Sequence, residues 1–282
     1  MTYQGFDQVL DTSIKAYVSA TSADFLSNTI SVVMEEDNNT TNSDITAKAA
    51  LMINDTTKEV LYANSVYERI YPASTTKLLT AYVAMKYMNG SDVVTVSENN
   101  AGITVYGAKL CNLKKGDTLT METLLNLLLV YSGNDAGITI AEHLSGSEEA
   151  FVELMNQEAA LLGATSTHFT NSHGLHNPNH YTTAYDMYLI FKACLEYDQF
   201  LPIIQQAKYV ASITDKDGII RNTSYETTNM FLLGTMEAPA GVTVFGGKTG
   251  STSDAGDCLI LYSASDSNQY ISAVFKASSK TS

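Results

Sequence analysis

The sequence predicts an α+β fold in which an antiparallel sheet is built from both chain ends around a mostly helical insertion. Three observations predict it. Two strand-like stretches, 47–53 and 59–63, come early; four more, 219–223, 242–245, 258–263 and 270–275, come late; and the residues between them repeat their apolar positions at helical spacing. A chain of 282 residues can bury a substantial core as one large domain or two closely packed ones, and no linker or internal repeat divides it. The expected division is an N-terminal helical segment and polar loop at 1–46, then a unit at 47–282 whose helical subdomain occupies about 88–200.

Taken in order, Phe6, Val9, Leu10, Ile14 and Val18 form one stripe, so one or two amphipathic helices are expected from residue 6 to about 34. Residues 35–44 carry no side chain that a core would take and read as a solvated loop. The first two strands pair as a hairpin across Asn54-Asp55-Thr56-Thr57. Next comes Tyr71-Pro72-Ala73-Ser74-Thr75-Thr76-Lys77, where a helix starts near Ser74, continues through Leu78, Leu79, Tyr82, Val83 and Met85, and stops at Asn89-Gly90. Residues 93–96 and 107–110 are short and flanked by polar positions, and Lys114-Lys115-Gly116-Asp117 is a turn. Thr120 opens a helix carrying leucines 124, 125, 127, 128 and 129, a core element that ends at Ser132-Gly133. Helices at 136–144 and 148–162 follow, the second closed by Gly163; then a loop at 167–181 rich in His, Asn and Pro, and a helix at 183–197. Asp266-Ser267-Asn268 joins the last two strands as a hairpin.

Composition excludes several classes of function. A net charge of -14 repels nucleic acid and anionic membrane surfaces. No apolar run approaches the roughly 20 residues that cross a bilayer. Cys111, Cys194 and Cys258 are widely separated, so neither a disulfide framework nor a metal-type cysteine spacing is present. The opening residues lack a basic region followed by an apolar core, so no signal peptide is expected in this sequence.

Chemistry concentrates in three places. Ser74 and Lys77, the one Ser-x-x-Lys in the chain, lie three apart at a helix start and so share a face: a hydroxyl nucleophile beside an amine base. The helix start also offers unpaired backbone N–H groups and the positive end of a dipole. Ser132-Gly133-Asn134 ends the leucine-rich helix, and Lys248-Thr249-Gly250, found once, follows an apparent strand through Gly246-Gly247. Ser-x-Asn recurs at Ser97-Glu98-Asn99, so the order of the three motifs carries the signal. That order resembles the penicillin-binding proteins and serine β-lactamases. Over 47–275 the sequence is similar to the D-alanyl-D-alanine carboxypeptidases, the low-molecular-weight penicillin-binding proteins, through Val60-Leu61-Tyr62, Ser132-Gly133-Asn134-Asp135-Ala136, Phe169-Thr170-Asn171-Ser172-His173-Gly174-Leu175, Tyr181-Thr182-Thr183-Ala184-Tyr185-Asp186-Met187 and residues 248–256.

The resemblance implies a β-lactamase/transpeptidase-like fold and a serine-type carboxypeptidase acting on peptidoglycan stem peptides that end in D-Ala-D-Ala, with β-lactam antibiotics as acylating partners and no cofactor. Ser74 is then the nucleophile and Lys77 its base, which must be neutral and so well below its usual pKa of roughly 10.4. Lys248 is the second cation that favours the neutral form. Ser132 bridges Lys77 to the leaving amine, Asn134 orients Lys77 and holds the substrate amide, and Ser74 and Ser251 supply the oxyanion N–H groups. Thr249 and Lys248 bind the terminal carboxylate; Gly250, Ser251 and His173 belong to the substrate-binding set. An extracytoplasmic location, cell envelope or secreted, follows from the same resemblance, and a membrane anchor or further C-terminal β domain is expected to lie outside this sequence.

One departure stands out: relatives often carry an Arg on the strand after Lys-Thr-Gly that holds the substrate carboxylate, whereas Val274-Phe275-Lys276-Ala277-Ser278 has only Lys276. His168, His173, His176 and His180 sit in a loop without Cys or paired carboxylates, which favours a structural loop near the site over a metal set. Two rival readings share the acylating serine. A serine β-lactamase of class A adds a Glu-x-Glu-Leu-Asn loop, for which this chain offers only Glu153-Leu154-Met155-Asn156 within a predicted helix. A non-catalytic penicillin-binding sensor would keep acylation without releasing D-alanine.

Overall fold

The expected meeting of the chain ends is found where β1 (Ala49–Asn54) pairs antiparallel with β9 (Asn268–Ala277), Leu51 opposite Ala273. The computed structural model describes residues 30–97 and 107–278. With β2 (Glu59–Asn64), β7 (Val242–Thr252) and β8 (Gly256–Ser265), these strands form a five-stranded antiparallel sheet in the order β2-β1-β9-β8-β7. β7 therefore stands at an edge, and it is the strand that carries Lys248-Thr249-Gly250.

Behind the sheet lies α1 (Lys77–Tyr87), whose Leu78, Leu79, Ala81, Val83 and Ala84 are fully buried. A helix apolar on every side belongs at the centre of a core, and here α1 is enclosed by the helices that follow it in the chain. These are α2 (Met121–Asn126), α3 (Asn134–Ser145), α4 (Glu148–Leu161) and α5 (Ala184–Leu195). Their starts obey capping chemistry: Thr120, Ser147 and Thr183 each accept from the backbone N–H three residues on. α2 runs on as a π-helical stretch, Leu127–Tyr131, ending on Ser132 at φ 72.

A second sheet corrects the sequence reading. β3 (Val93–Thr95), β4 (Thr118–Thr120), β5 (Lys208–Thr214) and β6 (Ile220–Glu226) form a four-stranded sheet in that order. The strand expected at 219–223 therefore belongs to the helical part of the molecule and not to the sheet of the chain ends. β5 and the short helix α6 (Phe200–Ile204) were not anticipated; in β5 the apolar-polar alternation is broken by Val210 on the exposed face. The helices expected from residue 6 lie outside the described residues, except at 30–34. There the chain forms no helix, and Ser31 exchanges hydrogen bonds with Tyr188 and Tyr185.

Candidate active site

Ser74 lies in a 3-10 turn, Ala73–Thr76, that leads directly into α1. Ala73 before it has φ 47, a left-handed conformation uncommon for a residue with a Cβ. Two glycines make room for this turn. A Cβ on Gly174, itself at φ +88, would fall 1.9 Å from the Ala73 carbonyl oxygen, and one on Gly250 would fall 2.9 Å from the Ser74 nitrogen. The loop at 167–181 and the edge strand β7 thus close on the Ser74 turn from two sides at backbone contact.

Lys77 is fully buried beneath Ser74, and its Nζ lies 3.2 Å from Ser74 Oγ. It also donates to Asn134 Oδ1 and to the His173 carbonyl, each at 2.6 Å. Burial pushes Lys77 down to about 7; the nearby Cys111 and Asp135 oppose the shift and the charge of Lys109 adds to it. A neutral amine has two N–H groups and one lone pair. Two carbonyl-type acceptors take the N–H groups, so the lone pair is left for the Ser74 hydroxyl, the orientation that proton abstraction requires.

The other motifs converge on the same point. Lys248, fully buried, donates to Ser132 Oγ and to the Thr249 carbonyl, each at 2.9 Å, and burial followed by the charges of Lys77 and Lys109 holds its pKa well below the lysine range. Ser132 Oγ thus accepts from Lys248, while the Lys77 amine meets Asn134 and the His173 carbonyl. Gly133 has to be glycine because a Cβ there would meet Cys111 Sγ at 2.4 Å. The hydroxyls of Thr249 and Thr228 are in contact. Ser74, Ser132, Asn134, Thr249, Gly250 and Ser251 all line one cavity of about 670 Å³.

His173, expected among the substrate-binding residues, is not part of the cavity lining. Its side chain is buried behind Lys77, away from the cavity lining, and burial, then Lys77 and His180, depresses its pKa to about 3, so the ring is neutral. The useful atom of His173 is its carbonyl oxygen. Asn171 aims it by accepting from the N–H of Gly174 at 2.6 Å while donating to the Leu175 carbonyl at 3.0 Å. His180 accepts from the Thr170 N–H and meets Thr76 Oγ1 at 2.7 Å. The histidine-rich loop thus packs the Ser74 turn, and no group of three or more metal-type ligands is present among the described residues.

Sequence reasoning missed three residues. Asp135 accepts from the backbone N–H of Cys111 at 2.9 Å and of Leu113 at 3.1 Å, fastening that segment over Asn134. Lys109 and Thr228 line the cavity from stretches without a motif. The one signal available was Asp135 itself, a charged residue directly after Ser-Gly-Asn and beside a buried helix.

Residues 29–279 match the Peptidase S11 family, described as D-alanyl-D-alanine carboxypeptidase. The chain is 35% identical over 238 residues to the D-alanyl-D-alanine carboxypeptidase DacF of Bacillus subtilis, covering 82% of this chain and 58% of that protein. It is 30% identical over 241 residues to DacC of Escherichia coli, covering 83% of this chain and 57% of the relative. It therefore spans less than two thirds of these relatives' length. Among solved structures, the Streptomyces K15 DD-transpeptidase superposes with a TM-score of 0.77 at 27% identity, over 85% of this chain and 93% of that one. A D-alanyl-D-alanine carboxypeptidase from Mycobacterium tuberculosis gives 0.74 at 28% identity, over 86% and 87%. On this evidence the chain belongs to the D-alanyl-D-alanine carboxypeptidase family, Peptidase S11.

Proposed function

We propose that the chain is a serine-type D-Ala-D-Ala carboxypeptidase that cleaves peptidoglycan stem peptides through a Ser74 acyl-enzyme, and that penicillin acylates the same serine. The observation that carries this reading is the buried Lys77 amine, whose two N–H groups are occupied and whose remaining valence meets Ser74 Oγ at 3.2 Å. Lys77 takes the Ser74 proton as Oγ attacks the carbonyl of the penultimate D-alanine. The N–H groups of Ser74 and Ser251 receive the developing oxyanion. Ser132, hydrogen-bonded to Lys248, passes its proton to the departing D-alanine nitrogen and takes up the Ser74 proton from Lys77, so both groups return to their starting state. Asn134 keeps one amide face on Lys77 and turns the other to the substrate. Water then attacks the ester, with Lys77 and Ser132 serving again, and frees Ser74. Such a reaction belongs outside the cytoplasm, where the cell-wall peptide is, and among the described residues no helix is long and apolar enough to cross a membrane.

Glu153, the residue offered for a β-lactamase, lies exposed on α4 and does not line the cavity, so it is not placed to activate water for rapid deacylation. Intact-protein mass after brief penicillin treatment should show a single adduct that persists for many minutes, and a diacetyl-Lys-D-Ala-D-Ala peptide should release free D-alanine. Rapid penicillin turnover would support the β-lactamase; an adduct with no D-alanine release would support the sensor.

A further inference from the structure

A carboxypeptidase recognises a terminal carboxylate, and in this chain the strand after Lys-Thr-Gly brings no cation to the cleft. Lys276 sits at a bulge of β9 with φ 54, exposed, and does not line the cavity. Lys248 is sealed beneath β7 with its Nζ bound to Ser132 and the Thr249 carbonyl. Among the described residues lining the cavity, Lys109 is the sole lysine or arginine, while Asp254 and Asp257 line it as well. In a protein of net charge -14, an anionic substrate entering this cleft needs a positive group at its surface.

Two contacts fix where Lys109 stands, and a third joins its aromatic neighbour to Tyr225. Its carbonyl accepts from the Asn134 N–H at 2.9 Å, which ties it to the Ser-Gly-Asn wall. Its Nζ lies 4.5 Å from the centre of the Tyr131 ring, the residue before Ser132. Tyr131 packs at 5.0 Å on Tyr225, at the end of β6, three residues before Thr228, whose hydroxyl meets that of Thr249. The ammonium therefore belongs to a wall continuous with both threonine hydroxyls. The Tyr131 face steadies the exposed lysine.

We propose that Lys109 is a substrate-binding residue whose ammonium, with the hydroxyls of Thr228 and Thr249, receives the terminal carboxylate of the substrate. This rests on the carboxypeptidase reading of the site. The nearness of that charge to the catalytic amines agrees with its depressing effect on both Lys77 and Lys248. Lys109 thus supplies the positive group that Lys276 of β9 does not bring to the cavity.

The test compares paired ligands with and without the carboxylate. Wild type, Lys109→Ala, Lys109→Glu and Lys109→Arg are acylated with benzylpenicillin and with its methyl ester, the rates read by intact-protein mass, and release of D-alanine from the diacetyl tripeptide and of D-alaninamide from its C-terminal amide is measured. Lys109→Ala should slow acylation by the free acid about 10- to 100-fold, the worth of one charge-assisted hydrogen bond, and leave the ester within about threefold. Lys109→Glu should slow the acid further, and Lys109→Arg should restore most of the rate. Equal slowing of acid and ester, or no slowing of either, would overturn the assignment. A wild type that acylates yet frees no D-alanine would defeat the turnover reading instead, with the acid-to-ester ratio still deciding the role of Lys109.

Discussion

Lys77 gains its role from a count of valences: two oxygen acceptors and one hydroxyl around a buried amine that is held at about 7. Acylation should therefore rise through about pH 7 and level above it, because only the neutral amine accepts the Ser74 proton; a rate flat from acid to alkaline pH would contradict this. The same shift acts on stability. In the unfolded chain Lys77 titrates near roughly 10.4, so between about 7 and that value the unfolded state binds a proton that the folded state does not, and stability rises with pH across the window. Below about 7 the cost of a buried charge is present in full. Lys77→Ala should lower the rate of penicillin adduct formation by about 10²- to 10⁴-fold, and Ser74→Ala should abolish the adduct. Full acylation of the Lys77 variant would exclude it as the base. Ser74 and Lys77 were legible as a pair because one helical turn joins them. The aim of the His173 carbonyl was not, since it depends on Asn171 and on a backbone contact with Ala73, nearly a hundred residues away.

At the scale of elements, the site is made by backbone segments brought closer than side chains permit. Gly174 and Gly250 meet the turn around Ser74, and Gly133 meets Cys111. Gly174→Ala would set a Cβ on the Ala73 carbonyl in a left-handed conformation and should cost about 1–3 kcal/mol of stability, with loss of acylation, measured by thermal unfolding and adduct mass. The π stretch Leu127–Tyr131 is the second device: the Gly133 N–H returns to the Leu127 carbonyl at 3.0 Å, widening the last turn before Ser132. Asp135 then pins residues 111 and 113 over it. Asp135→Ala leaves two buried N–H groups without their acceptor and should destabilise the fold by about 1–3 kcal/mol each, with weaker acylation by penicillin. Apolar spacing showed that the leucine run is a buried helix. It did not show the π turn, because widening a helix changes which carbonyl is reached and not which side chains are apolar.

For the molecule as a whole, the sheet and the helical body must keep one relation for β7 to stay beside the Ser74 turn. A buried ion pair between Lys192 of α5 and Asp55 of the β1–β2 turn, 2.8 Å apart, ties them on the far side of the sheet from β7, and Lys58 meets the other Asp55 oxygen at 2.9 Å. Asp55→Ala strands the Lys192 charge and should cost about 3–5 kcal/mol in denaturant unfolding, while Lys58→Ala, at the partly exposed end, should cost about 1 kcal/mol or less. By itself the amino-acid sequence determined the α+β class, the pairing of the chain ends, the elements with strong periodicity and the three motifs that hold Ser74, Lys77, Ser132, Asn134 and Lys248, since each of these is written in spacing along a few neighbouring residues. Tertiary structure alone decided that the strand at 220–226 joins a second sheet, that Ser132 accepts from Lys248, that the His173 carbonyl accepts from Lys77, and that Lys109 rather than Lys276 lines the cavity. The reason is physical: periodicity records which side chains leave water, whereas the partner that covers each one is chosen by packing between segments far apart in the chain.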